Sequence, residues 1–250
     1  MNRFSQWIPL GMGAVILGVV LASVGCGTTK SSSSKGTQMR VVHLSPDEGP
    51  LDLLIDNTSV SSNITYGAPT AFVGIAPGNH DLKLNLPGSS INVLDKPKDN
   101  FVAGTSYTNL IIGFAAGLGT NQLIDDHVKP SKGMFKIRVV NGSPTLGSVD
   151  IYLVTKVNGV DKITTVAGVA SNSASPYQML DVGTYQIYIT QGGAGSTCLT
   201  VSPPCLIHLD GTGGMVSPTF ADGQVRTLIM KNQIPVGTGL YDTITLTDLN

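Results

Sequence analysis

Charge is scarce in this sequence. Asp, Glu, Lys and Arg together make up 12% of its 250 residues, and the formal net charge is -1. That excludes a basic surface able to neutralise a run of phosphates, so nucleic acid is not an expected partner. The four histidines, His43, His80, His127 and His208, show no H-x-x-H or H-E-x-x-H spacing, which argues against a zinc site. Asp47, Glu48, Asp52 and Asp56, and the run Asp125-Asp126-His127, lack the alternating acidic pattern and closing Glu of a calcium loop. No G-x-S-x-G elbow occurs, and the Gly-rich pieces 192–195 and 211–214 lack the helix and lysine of a phosphate loop. The expectation is a protein without cofactor, metal or catalytic residues, and not an enzyme.

Turn formers are abundant instead. With 30 Gly and 14 Pro among runs of Val, Ile, Leu, Thr and Tyr, the composition suits short strands joined by tight turns. No long helical period follows Cys26, so an all-β fold is expected. The chain is long enough for two domains of roughly 100 residues each.

The first 26 residues carry a different pattern. Arg3 is followed by an uncharged stretch from Phe4 to Gly25, whose apolar centre runs from Gly13 to Leu21. That is the layout of an export signal. It closes in Ala22-Ser23-Val24-Gly25-Cys26, which resembles the lipobox of bacterial lipoproteins, with Ser23 where that family usually has Leu. The resemblance implies cleavage before Cys26 and acylation of its thiol, hence a membrane contact through a lipid anchor. The competing reading is an uncleaved membrane helix, since the apolar stretch approaches the roughly 20 residues that span a bilayer. A cysteine at the signal's end favours cleavage. Residues 27–37 are polar and poor in apolar side chains, as expected of a flexible tether with a root-mean-square reach of ~20 Å. Gly27 is not the Asp that resembles an inner-membrane retention signal, so outer-membrane placement in the cell envelope is favoured.

The rest of the chain repeats itself. Arg40-Val41-Val42-His43-Leu44-Ser45-Pro46 aligns with Arg138-Val139-Val140-Asn141-Gly142-Ser143-Pro144, and Leu51-Asp52-Leu53 with Val149-Asp150-Ile151. Pro77-Gly78 leads into an alternating strand as Val182-Gly183 does, and Ala103 to Thr108 corresponds to Asp222 to Thr227. The offset between copies grows from 98 at Arg40/Arg138 to 105 at Pro77/Val182 and 119 at Ala103/Asp222. Insertions are therefore expected in loops of the second copy. The expected organisation is a signal over 1–25, lipidated cysteine and tether over 26–38, a first repeat over 39–130 and a second over 131–250.

These residues resemble the family called domain of unknown function 4397. The likeness spans nearly all of 39–250 and is tightest over 40–56 and 78–112. The second copy departs from it at Asn141-Gly142 and has no acidic residue after Pro144. The resemblance implies two tandem immunoglobulin-like β-sandwiches on an exported protein and no particular activity.

Strand alternation would place Arg40, Val42 and Leu44 on one face, with Val41 and His43 on the other. Further strands are expected at Leu51–Asp56, ending at Asn57-Thr58-Ser59, and near 70–75, 81–86, 91–94 and 107–113. In the second copy they are expected from Phe135, then near 149–154, 185–190, 206–209, 227–231 and 243–246. Arg40 with Asp52, and Arg138 with Asp150, are oppositely charged pairs kept at equal spacing, and are expected to pair structurally across neighbouring strands. Cys198 and Cys205 form an even pair in an exported chain, which suggests a disulfide stapling a hairpin. The functional expectation is a non-enzymatic envelope module displaying loops to a protein or glycan partner. A structural scaffold in the envelope and a hydrolase with a site assembled from loops are the alternatives.

Overall fold

The computed structural model describes residues 36–195, 217–234 and 241–249. They form strands throughout, with a single 3-10 turn at Ala115–Gly117. The protein is all-β.

The first half contains β1 (Gln38–His43), β2 (Leu51–Ile55), β3 (Thr58–Ile64), β4 (Val73–Gly74), β5 (Gly78–Asn85), β6 (Asn92–Phe101), β7 (Ser106–Ile112) and β8 (Gly119–Ile124). One sheet runs β4-β1-β7-β8, with β1 and β7 parallel; the other runs β3-β2-β5-β6, wholly antiparallel. Met39, Val41, Tyr107 and Ile111 of the first sheet meet Leu51, Leu53, Leu82, Leu84 and Phe101 of the second in one buried core. This is a β-sandwich arrangement, in which alternate residues of each strand leave water.

The second half contains β9 (Met134–Asn141), β10 (Val149–Val157), β11 (Val160–Val169), β12 (Ser173–Ala174), β13 (Gln178–Asp181), β14 (Gly183–Thr184), β15 (Gln186–Gln191), β16 (Thr219–Phe220), β17 (Val225–Asn232) and β18 (Tyr241–Leu249). Its first sheet is β12-β9-β17-β18 with β13 also on β9, and β9 and β17 are parallel as β1 and β7 are. Its second is β11-β10-β15. Phe135, Ile137, Val139, Ile151, Leu153, Ile187 and Ile189 fill a core of their own, with Phe135 stacked on Phe220 at 4.2 Å between ring centroids.

A third cluster joins the halves. Val42, Leu44 and Leu110 pack against Val140, Ile229 and Leu246, so β1 and β7 are buried on both faces. The faces of β1 divide as its alternation predicts: Met39 and Val41 enter the first core, Val42 and Leu44 the junction. Leu44 and Gly142, equivalent by the repeat, meet each other here. A Cβ on Gly142 would lie 2.6 Å from Leu44 Cδ1 and 3.1 Å from the Met230 carbonyl oxygen. Two leucines cannot occupy that spot, which accounts physically for the second copy's departure at this position.

Several strand expectations are corrected. The chain does not stop at Asn57-Thr58-Ser59: Asp56 and Asn57 take φ values of 49° and 64°, the left-handed pair of a two-residue hairpin, and β3 begins at Thr58. Asn158 and Gly159 do the same at 52° and 80°, turning β10 into a β11 that was not foreseen. Much of the first insertion in the second copy therefore lengthens a hairpin rather than a loop. Of the strand expected at 70–75 only Val73–Gly74 forms, and the one expected at 206–209 lies outside the described residues.

Candidate functional site

The most highly organised polar cluster lies at the junction, next to the apolar contact just described. Arg40 reaches it from β1 and Arg138 from β9, and both are buried, 5% and 4% exposed. Arg40 Nε donates to Thr108 Oγ1 at 2.9 Å, and Thr108 donates in turn to Asp125 at 2.8 Å. Arg138 Nε donates to Thr227 Oγ1 at 2.7 Å, and Thr227 donates to Asp248 at 2.6 Å. The remaining guanidinium nitrogens cross over. Arg40 Nη2 pairs with Asp248 and Arg138 Nη2 with Asp125, while the two Nη1 groups donate to the Thr247 and Ile124 carbonyls at 2.9 and 2.8 Å. Each arginine thus binds its own half's threonine and the other half's aspartate.

Aromatic rings close the cluster. The Arg40 guanidinium lies 4.7 Å from the Phe72 ring centre, and that of Arg138 4.8 Å from Tyr177. Tyr177 adds a hydroxyl that donates to Asp248 at 2.8 Å. Burial pushes the Asp125 carboxyl above the usual carboxylate range, against the pull of Arg138 and Arg40, so the arginines are what keep this buried site workable for an anion. Two arginines against two aspartates leave the cluster formally neutral.

The expected pairs Arg40 with Asp52 and Arg138 with Asp150 are therefore corrected, because both arginines are spent at the junction. Asp52 Oδ1 instead accepts the Asn63 N–H at 2.7 Å, and Asp150 Oδ1 the Gly168 N–H at 2.7 Å. Asn63 and Gly168 both have positive φ, 54° and 68°. The two aspartates hold matching irregularities in the strand beside them, where register slips between Leu51 and Leu53 and between Val149 and Ile151. Asp150 accepts a second bond, from Gly193 N–H at 2.8 Å.

His43 and Asn141 also share a task. His43 Nδ1 accepts the Ser45 N–H at 3.3 Å, leaving Nε2–H to donate to the Gly49 carbonyl at 3.0 Å. Asn141 Oδ1 accepts the Ser143 N–H at 3.4 Å and its Nδ2 donates to the Gly147 carbonyl at 2.9 Å. Both side chains pin the loop that follows the first strand of their half. Burial lowers the His43 pKa, as fits a ring that needs one bare nitrogen.

His80 bonds Asp56 at 2.5 Å through Nδ1 and the Ala76 carbonyl at 2.9 Å through Nε2. The Asp56 bond raises the histidine and lowers the carboxyl. With both ring nitrogens engaged, this pair closes a turn and has no atom aimed at a substrate. It borders a cleft of about 160 Å³ with Met39, Val60, Val73 and Ile75. A wider cleft of about 430 Å³ lies near the turn of the β10–β11 hairpin, between Thr155, Lys156 and Gly183. Among the described residues no three His, Cys, Asp or Glu side chains gather as metal ligands. Cys26, Cys198 and Cys205 lie outside the described residues.

Reading the sequence singled out both arginines but missed Thr108, Thr227, Asp125, Asp248, Phe72 and Tyr177. A signal existed: Leu123-Ile124-Asp125 repeats as Leu246-Thr247-Asp248, and Thr108 already stood opposite Thr227 in the aligned copies.

The molecule thus belongs to the class of all-β proteins in which two sandwich halves share a buried polar seam. Residues 37–152, just under half of the chain, match the family described as a domain of unknown function (DUF4397). The match covers all of the first half and runs on through β9 into the start of β10. No curated protein matches the chain.

Proposed function

We propose that this chain is a cell-envelope lipoprotein, anchored through Cys26, whose two copies of the same domain form a non-enzymatic display module for a protein or glycan partner. The observation that carries this reading is the junction: a reciprocal, buried Arg–Asp exchange holds the halves as one body and so presents their loops in a fixed arrangement. The side chains best suited to chemistry, Arg40, Arg138, His43 and His80, are all bonded internally. Acylation at Cys26 is supported by the lipobox-like run before it, and a Cys198–Cys205 disulfide by the exported setting that this implies. A scaffold role in envelope spacing is the second reading, favoured by the same rigidity.

The test has two arms. Cys26→Ser should move the protein out of the membrane fraction or leave an unprocessed precursor, and mass spectrometry of the mature N-terminus identifies the acyl group. Immobilised residues 27–250 should then retain a reproducible partner from envelope extract that a junction-disrupted variant loses. An unmodified N-terminus at another cut site sinks the anchor. Repeated failure to retain any partner, with normal anchoring, favours the scaffold.

A further inference from the structure

We propose that the end of the first half where the described chain begins is a membrane-seating surface, which sets the module upright on the bilayer. This rests on the lipid-anchor reading above and adds an orientation to it. Thr37 is fixed at that end: its hydroxyl donates to the Val102 carbonyl at 3.1 Å and accepts the Gly104 N–H at 2.9 Å, and Gln38 N–H bonds the Thr105 carbonyl at 3.2 Å. Gly104 and Thr105 line one cleft with Ile124 and Val128. The large aliphatic side chains nearest the chain's entry point are outside the cores: Val102 is 55% exposed, Ile124 62% and Val128 69%.

Single exposed aliphatics are ordinary, but three placed around the entry point of a tethered chain are not scattered at random with respect to the tether. Ten residues separate Cys26 from Thr37, and a flexible polar stretch of that length would keep this end a root-mean-square ~20 Å from an acylated cysteine. At that range a contact too weak to recruit a free protein becomes populated, because the tether supplies the local concentration. The local charge balance favours it. Asp126 is bonded by Lys136 at 2.6 Å and Asp125 is buried at the junction, while the exposed Lys129 and Lys132 outnumber the exposed Asp222 that accepts the Gly133 N–H beside them, which leaves a net attraction to anionic headgroups. The occupant we assign is the lipid surface itself.

The sole tryptophan, Trp7, lies in the segment that cleavage removes, so a tryptophan placed by substitution is a unique reporter in the mature protein. Mature Val128→Trp and Phe114→Trp proteins, the second just past the end of β7 opposite to Ser106 and the chain's entry, are reconstituted in phosphatidylethanolamine–phosphatidylglycerol vesicles containing acyl-brominated lipid. Seating predicts a blue-shifted Val128→Trp emission quenched at least twofold more than that of Phe114→Trp. Val102→Trp gives the same readout should the first variant fold poorly. Equal quenching at both ends, with the acyl group confirmed by mass, overturns the seating and leaves the anchor intact. Absence of both the acyl group and vesicle association overturns the two together.

Discussion

Arg138 closes on Asp125, a residue 13 positions before it yet part of the other half, while Asp125 also holds the first half's own Thr108. Removing one member of a buried, hydrogen-bonded pair leaves its partner's charge uncompensated, at a cost of about 3–5 kcal/mol. Asp125→Ala should therefore lower the denaturation midpoint by that order. Because the residue belongs to both halves' networks, the loss should also separate one transition into two. Calorimetry that shows a single transition, with stability changed by under about 1 kcal/mol, would contradict the junction's assigned role.

Gly142 and Leu44 should be coupled in the same way, but by volume. Gly142→Ala inserts a methyl group into the 2.6 Å gap to Leu44 Cδ1 and should cost about 1–3 kcal/mol. Leu44→Ala alone opens a cavity at the seam. The double variant should lose less than the two singles together, since each change relieves part of the other's defect. Strict additivity in urea titrations would show that the two side chains do not compete for one space.

The pH dependence of His43 has a definite sign. Its pKa is lowered by folding, so the unfolded chain binds the proton more readily, and the stability it confers is complete above the ordinary value of 6.5. That stability is lost as pH falls from 6.5 through the folded value. His80 acts oppositely: its pKa is raised, so its contribution is present below 6.5 and fades as pH rises through the folded value. His43→Asn, the residue that performs the same task in the second half, should fold and should flatten the acid side of the profile while leaving the His80 component. Melting temperatures of the two proteins between pH 4.5 and 8 decide this; parallel curves would remove His43 as the titrating group.

Asn109 offers a gain in stability. It is 1% exposed on β7, between Tyr107 and Ile111 of the first core, and neither its amide oxygen nor its nitrogen has a hydrogen-bond partner. Its counterpart in the second half is Leu228, part of that core. Asn109→Leu should stabilise the protein by about 1–3 kcal/mol, the desolvation cost of an unsatisfied polar group. A lower midpoint for this variant would mean the amide has work that the apolar side chain cannot do.

Some of this was legible in the sequence and some was not, for reasons that differ by residue. The alternation of Arg40, Val42 and Leu44 against Val41 and His43 announced a strand with two distinct faces, since neighbouring side chains on a strand point oppositely. What lay against the polar face could not be read from spacing. The nearby Asp52, 12 residues on, was the visible candidate, but the ion-pair partners are Asp125, 3.6 Å away, and the closer Asp248, brought in by packing between halves. β3 and β11 were missed because Asp56-Asn57 and Asn158-Gly159 look like endings when read along the chain. Only their left-handed backbone makes them reversals. β8 was missed because Gly119-Thr120-Asn121-Gln122 is polar, and its place in the sheet comes from pairing with β7 rather than from propensity.

The crossed ion pairs also impose an order on how the molecule can be finished during synthesis. Arg40 sits in β1, and the counter-charge that Asp248 supplies follows 208 residues later. Until that residue exists, Asp125 is the cluster's one carboxylate, 3.6 Å from Arg40 and paired with Arg138, so two buried guanidiniums would face a single anion and the seam has reason to stay open. Completion then comes as one late event, when β18 arrives to supply the missing carboxylate.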